Sequence, residues 1–333
     1  MLFLKMIRDI KKNFVQFIVI FLMAFMGTFV FSGISAEWYG IEKIVKDYTA
    51  EANFADIWVY GKNFSKDDLD TIKNLKGIIE VERRVSIEGI GDFANNPKLE
   101  LHFLEDNSIN KPKLVEGEEI DLNKSEGIWI DKNFAKEKKL KIGDTLKCTS
   151  NGVSIEKEIL GIIESPEYIY YANEEDLWPD YAKIGYAYLS IEAFPYKDKA
   201  PYTTMLVKAN RTDTSKLEDE INTLIKDNKV TIVLKENMPS YKAISNEVEQ
   251  HKVMGGIFPV AFILIAILAM LTTMTRLVNN QRIQIGTLKA IGFSNRKIMH
   301  HYLSYGFYLS TLGALLGAIL GPITLPYLFS ITG

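Results

Sequence analysis

Hydrophobic and polar positions fall into long blocks along the 333-residue chain. In residues 1–13, Leu2, Phe3, Met6, Ile7 and Ile10 recur at three- and four-residue spacing, with Lys5, Arg8, Lys11 and Lys12 largely between them. That pattern predicts a short amphipathic helix suited to an anionic membrane surface. Residues 14–34 then contain only Gln16, Thr28 and Ser32 as clearly polar members. At about 1.5 Å per residue such a stretch crosses a hydrocarbon layer of about 30 Å. Residues 253–275 and 303–332 repeat this apolar density, so three spans are expected. A cleaved leader would have a shorter apolar core and a small residue three places before the cut. Ile34 before Ala36 fits poorly, and 14–34 is read as a retained transmembrane helix.

Residues 35–252 carry a different rhythm, with short β-rich runs alternating with polar helical segments. Strands are expected at Phe54–Tyr60, Ile78–Ile90, Leu99–Leu104, Gly127–Ile130 and Val230–Leu234. Leu146–Ser150 and Ser154–Ile163 flank Asn151–Gly152, a strong hairpin signal. Ser65 followed by Asp67 and Asp68 starts a helix that should end near Gly77. Asp131–Thr145 reads as a short helix and a Gly-Asp turn, and Leu217–Asp227 as a helix with one apolar face. The fold class is therefore a membrane protein of α-helical spans with a large α+β domain between the first and second. Residues 36–48 and 241–252, the latter capped by Ser240, are expected as helical stalks into the spans. The Gly255–Gly256 pair and Pro259 are candidates to kink the second span, and Pro322 and Pro326 to break the third. Gly313 and Gly317 in the third permit close helix contact, including a dimer face.

Charge orients this plan. The first 34 residues hold four basic and one acidic residue, and the segment after 252 holds five basic and none acidic. The block between them is acidic, with 30 basic against 41 acidic residues. By the positive-inside rule the amino terminus and residues 276–301 are cytoplasmic, with 35–252 outside, in a multi-pass plasma-membrane protein. An acidic outward-facing domain argues against nucleic acid. Cys148 stands alone and excludes an intrachain disulfide; it is expected as a small buried hydrophobe in a strand. His102, His251, His300 and His301 show no metal-ligand spacing, because the adjacent pair does not share a helix face. No nucleophile motif and no GxxxxGK[ST] phosphate loop occurs.

Two stretches stand out chemically. In residues 276–301, Leu277, Ile285, Leu288 and Gly292 recur at helical spacing, with Arg276, Arg282, Lys289, Arg296 and Lys297 among them. Gly292 can end one helix and Ser294 cap the next. Positive-inside anchoring alone explains the composition; helix, tight turn and helix describe a shaped surface. The second stretch is aromatic: Tyr168, Tyr170, Tyr171, Trp178 and Tyr181 head a tyrosine-rich run reaching Tyr202. Such residues either pack a core and edge strands or line an outer-face binding surface. Glu174, Glu175 and Asp176 nearby read as a charged loop or a cation site.

The run RLVNNQRIQIGTLKAIGFSNRKIMHHYLSYG (276–306) resembles that of MacB/FtsX-type ABC transporter permeases, in the long branch with an extended outer domain. EGIWIDKNFAKEKKLKIGDTL (126–146) is similar to that family's outer-domain segment, and RDIKKNFVQFIVIFLMAFMG to its first span. The resemblance implies a non-catalytic transmembrane subunit without cofactor of its own, ATP being bound and hydrolysed by a partner ABC ATPase. Motion would pass through a cytoplasmic coupling segment to a MacB-like outer domain, by mechanotransmission, in export or extraction of peptide, lipid or lipoprotein. It implies ATPase contacts from Arg276, Gln281, Arg282, Gln284, Ile285, Gly286, Leu288, Lys289, Ile291, Gly292, Arg296 and Lys297, with Ile285, Leu288 and Ile291 as apolar anchors. Further implied partners are a second permease copy or half, membrane lipids and an extracytoplasmic protein. The family places three spans after the outer domain and two are found here, which points to a truncated or split permease. The alternatives are an FtsX-like scaffold activating a cell-wall hydrolase and a membrane-anchored sensor.

Overall fold

A computed structural model describes residues 2–171, 179–195, 197–210, 213–225 and 230–332. The described helices are α1 (Leu2–Lys12), α2 (Phe14–Glu51), α3 (Lys66–Lys73), α4 (Lys132–Lys138), α5 (Thr214–Leu224), α6 (Pro239–Asn280), α7 (Arg282–Ala290) and α8 (Asn295–Thr332). The strands are β1 (Ile57–Tyr60), β2 (Ile78–Gly91), β3 (Lys98–Leu104), β4 (Lys113–Gly117), β5 (Ile128–Asp131), β6 (Thr145–Ser150), β7 (Val153–Glu164), β8 (Ile184–Ser190), β9 (Thr204–Ala209) and β10 (Thr231–Leu234). Contacts divide the chain into a helical unit, 1–44 with 246–333, and a sheet unit, 45–245.

In the sheet unit, local chemistry sets the element ends. Ser65 and Asp68 form a reciprocal capping box, each accepting the other's backbone N–H at 3.1 and 2.8 Å. The helix they start ends at Lys73 rather than near Gly77, because Asn74 already caps it; Gly77 (φ +90°) serves the turn into β2. The Asp131 carboxylate accepts from the backbone N–H groups of Asn133 and Phe134 and starts α4. Asn151 and Gly152 both take positive φ, as a two-residue hairpin requires.

The β2 strand joins two sub-sheets. Its first half pairs antiparallel with β9 and its second half with β3, and Arg84 belongs to both ladders. On the β9 side the order is β10-β1-β9-β2, covered by α3 and α5 through Ile57, Val59, Ile72, Val207, Leu217 and Ile221. On the other side β2, β3, β8, β5, β7 and β6 pair in turn, and β6 returns to β2. This ring closes around Val85, Leu99, Leu101, Phe103, Ile128, Ile130, Leu146, Cys148 and Leu189. Cys148 is the small buried strand residue expected, and burial pushes its thiol up to about 11. Closure, and strands β4, β8 and β9, are additions to the sequence reading.

Among the described residues of the helical unit, three helices are long and apolar enough to cross a membrane. The first span and its stalk are one helix, α2. Helix α6 starts at Pro239, so Ser240 lies inside the first turn and is not its cap; a leading proline suits that position because its missing N–H has no helical partner there. The Ser240 hydroxyl instead accepts from Tyr170 N–H at 2.8 Å. Helix α6 continues through Pro259, and α8 through Pro322 and Pro326 without the expected break. In hydrocarbon, unwinding would leave more backbone groups unpaired than a proline removes. The stalk parts of α2 and α6 are joined by Glu42–Lys252 at 3.1 Å, with the ammonium 4.8 Å from the Trp38 ring centre.

The small-residue stripe of α8 packs within the chain. A side chain on Gly313, Gly317 or Gly321 would strike the α2 backbone at Phe21, Phe25 or Phe29. The Ser32 hydroxyl donates to the Gly317 carbonyl at 3.1 Å. The glycines are the means of close approach, and the partner helix is the chain's own first span rather than a second copy.

Candidate functional sites

The first site is the elbow between α6 and α8. Helix α6 stops at Asn280, Gln281 leaves helical geometry, and α7 begins one residue later. Gly292 takes φ +93°; its N–H donates to Lys289 O and that of Phe293 to Leu288 O, both at 3.0 Å. This double closure is a Schellman motif, and Leu288 and Phe293, its usual apolar pair, both face the core below. Ser294 then accepts from Lys297 N–H at 3.4 Å, opening α8.

The inner edge of the elbow is anchored. Ile285, Leu288 and Phe293 pack on Met6, Leu277, Ile298, Tyr302 and Tyr305. Beneath them Gln281 is buried at 8% exposure and holds three elements together. Its Oε1 accepts from Lys5 and Tyr302, both at 2.7 Å, and its Nε2 donates to Asp9 at 3.0 Å. Asp9 also accepts from Lys5 (2.6 Å) and Tyr305 (2.9 Å). Burial opposes ionisation of Asp9, but the Lys5, Gln281 and Tyr305 bonds outweigh it and hold the carboxyl below its usual range. Arg276, Arg282, Gln284, Gly286, Lys289, Ile291, Gly292, Arg296 and Lys297 are exposed. Ile285 and Leu288 are half-buried anchors of the elbow, whereas Ile291 is 68% and Ile283 87% exposed. Sequence reasoning missed Ile283, Lys5, Asp9, Tyr302 and Tyr305. The available signal was Asp9, a lone acid in a basic helix, four residues from Lys5.

Residues 256–333 match the family model described as FtsX-like permease C-terminal. Over these residues the chain is similar to the carboxy-terminal region of FtsX-like permeases. No curated protein matches the chain. Among solved structures, the extracellular domain of the noncanonic ABC-type transporter YknZ from Gram-positive bacteria is 13% identical, with a TM-score of 0.35 over 54% of this chain and 98% of that one. The periplasmic region of MacB from Actinobacillus actinomycetemcomitans is also 13% identical, with a TM-score of 0.37 over 62% and 97%.

The sheet unit holds a second site. Strict alternation in β2 and β3 puts Val85, Leu99, Leu101 and Phe103 in the ring core. Arg84, Ser86, Glu88, Glu100 and His102 therefore face the other way, beside Tyr186 and Tyr188 of β8. The segment 165–171 packs on this face. Arg84, 3% exposed, pairs both guanidinium ends with Glu167 at 2.6 and 2.7 Å. Glu167 also accepts from Trp58 Nε1 (2.7 Å) and Tyr188 OH (3.2 Å). Burial opposes its ionisation, yet Arg84 dominates and holds the Glu167 carboxyl at about 2. His102 bridges Ser86 Oγ (2.9 Å) and Tyr168 OH (2.6 Å); burial first, then Arg84, lower its imidazole to about 3.

The tyrosine run divides between core and surface. Tyr168 stacks on Tyr186 at 4.3 Å and meets Tyr171 edge-on at 4.8 Å. Tyr168, Tyr170 and Tyr171 also wall a cavity of about 970 Å3 over the polar face, whereas Tyr181 is half-buried outside it. Trp178 and the acidic triplet 174–176 lie outside the described residues. Arg84, Glu167 and His102 were not singled out from sequence, because nothing local marks which polar strand residues become buried.

Proposed function

We propose that this permease subunit passes the motion of a separate ABC ATPase through its elbow to the sheet unit, which acts on a peptide, lipid or lipoprotein at the outer membrane face. In this reading α1 and the elbow are cytoplasmic, as their excess of basic residues favours, and the acidic sheet unit is extracytoplasmic. The observation that carries the reading is the two-sided build of α7. Its inner edge is tied to α1, α6 and α8 through Ile285, Leu288 and Gln281, so displacement of the elbow displaces the spans. Its outer edge offers exposed Ile283 and Ile291 among Arg282, Lys289, Arg296 and Lys297, the mixture of apolar anchor and basic rim that suits a protein partner. Stalk-paired helices α2 and α6 would carry the motion onward, and a second permease copy would complete the assembly. Catalysis, ATP and its metal belong to the partner in this scheme.

The test is purification from membranes after co-expression with a candidate ABC ATPase. Ile283→Asp combined with Ile291→Asp should leave the chain inserted and folded, because both side chains are exposed, while ATPase co-purification and stimulation fall by about tenfold or more, as for loss of a central interface anchor. Unchanged recovery and unchanged stimulation overturn the assignment.

A further inference from the structure

We propose that the cavity on the polar face of the sheet unit is a binding site for an organic cation, an ammonium or guanidinium group carried on an apolar stem. The site lies wholly within the sheet unit, so it stands or falls independently of what drives the elbow.

Three observations converge. First, the cavity has the volume of a small-molecule site, about 970 Å3, with walls shared between aromatic rings and charged groups. Second, three carboxylates and three cations line it, but Lys183 pairs with Asp180 outside the cavity, so one lining carboxylate has no ion-pair partner among the described residues. Arg84 is matched by Glu167, Lys98 by Glu88 at 3.8 Å, and Lys183 by Asp180 at 3.0 Å. Glu100 also lines the cavity, and among the described residues no hydrogen bond or ion pair reaches its carboxylate. His102 is held neutral and adds no compensating charge. Third, strand register places Glu88 and Glu100 directly opposite each other on one face of β2 and β3. Like charges in that relation are destabilising, and a cation between them removes the penalty. Burial first, and Glu88 second, accordingly raise the Glu100 carboxyl above its ordinary value.

The aromatic side of the cavity completes the recognition. Tyr60, Tyr168, Tyr170 and Tyr171 line it together with Met238. Ring faces attract desolvated cations, and rings with a thioether accommodate the methylene stem of a lysine-like group. A phosphate or carboxylate ligand is disfavoured, since the guanidinium that would receive it is already engaged by Glu167 on both terminal nitrogens.

Isothermal titration of the full chain in detergent tests this, with Nα-acetyl-lysine methylamide as probe and the norleucine analogue as the uncharged control. The lysine probe should bind saturably, one per chain, and the norleucine analogue should not. Glu100→Gln should weaken binding by about tenfold, the loss of one charge-assisted contact at a partly buried position. Where Glu100→Gln lowers the melting temperature, Tyr170→Leu supplies the second variant and should weaken binding several-fold. Either probe order between capped lysine and 1,5-diaminopentane supports the site: tighter lysine binding points to a peptide side chain, and tighter diamine binding to a free amine. Equal binding of lysine and norleucine analogues, unchanged affinity in both variants, or displacement of the lysine probe by equimolar calcium chloride each overturns the proposal.

Discussion

Arg84 occupies the position where β2 exchanges one partner strand for another, and its pairing with Glu167 is buried at 3% and 2% side-chain exposure. Removing one member leaves the other charge stranded, which costs about 3–5 kcal/mol, whereas apolar replacement of both is far milder. Glu167→Gln should therefore destabilise the sheet unit by that amount and Arg84→Met with Glu167→Leu by much less, read from urea unfolding followed by tryptophan fluorescence. His102 gives a pH signature. Its folded value of about 3 lies below the ordinary value of 6.5, so the unfolded chain binds its proton first. The stability due to neutral His102 is complete above about 6.5 and is lost as pH falls towards 3, at about 1.4 kcal/mol per unit. Glu82, raised to about 8, and Asp131, raised to about 6, chiefly by burial, act with the opposite sign over much of the same range. The comparison must be with His102→Gln: between pH 7.5 and 5 that variant should gain about 2 kcal/mol relative to the parent. A constant difference across this range would show that His102 protonates freely in the folded state.

At the scale of elements, the three glycine environments of the helical unit should separate cleanly. Gly317 presses on the α2 backbone, so Gly317→Ile should force α8 away and lower the melting temperature of the detergent-solubilised chain sharply. Gly286, mid-way along α7, has nothing within 4 Å of an added Cβ, and Gly286→Ala should be neutral or stabilise by about 0.5–1 kcal/mol. Gly292 has equal space but a φ of +93°, and Gly292→Val should cost about 1–3 kcal/mol through backbone strain alone. Equal melting temperatures for Gly317→Ile and Gly286→Ala would contradict the packing of α8 on α2.

For the whole molecule, the Lys5–Asp9–Gln281–Tyr302 cluster ties the amino-terminal helix to the elbow. Gln281→Leu keeps the volume and removes every hydrogen bond of that side chain. Under the coupling reading it should leave ATPase co-purification intact and reduce stimulation several-fold, because the partner still binds while the elbow no longer moves the spans as one body. Loss of co-purification instead would place Gln281 at the ATPase interface. The cluster lies within the chain and ties three elements together.

Much of this organisation is legible in the linear chain because it rests on local physics. Span length, charge asymmetry, the Asn151–Gly152 hairpin, the Ser65 cap and the Gly292 stop depend on residues within a few positions of one another. The α+β character of the insert and the FtsX-like run follow from the same nearness. What required the tertiary structure is whatever joins distant positions. Ring closure through β6, the burial of Gln281 against a helix more than 270 residues away, the pairing of Arg84 with Glu167 and the seating of Gly317 on Phe25 all involve partners that no period or cap announces. A polar side chain reads the same whether water or a second charge will face it; only the packed sheet decides, and it is there that the cavity and its unmatched Glu100 arise.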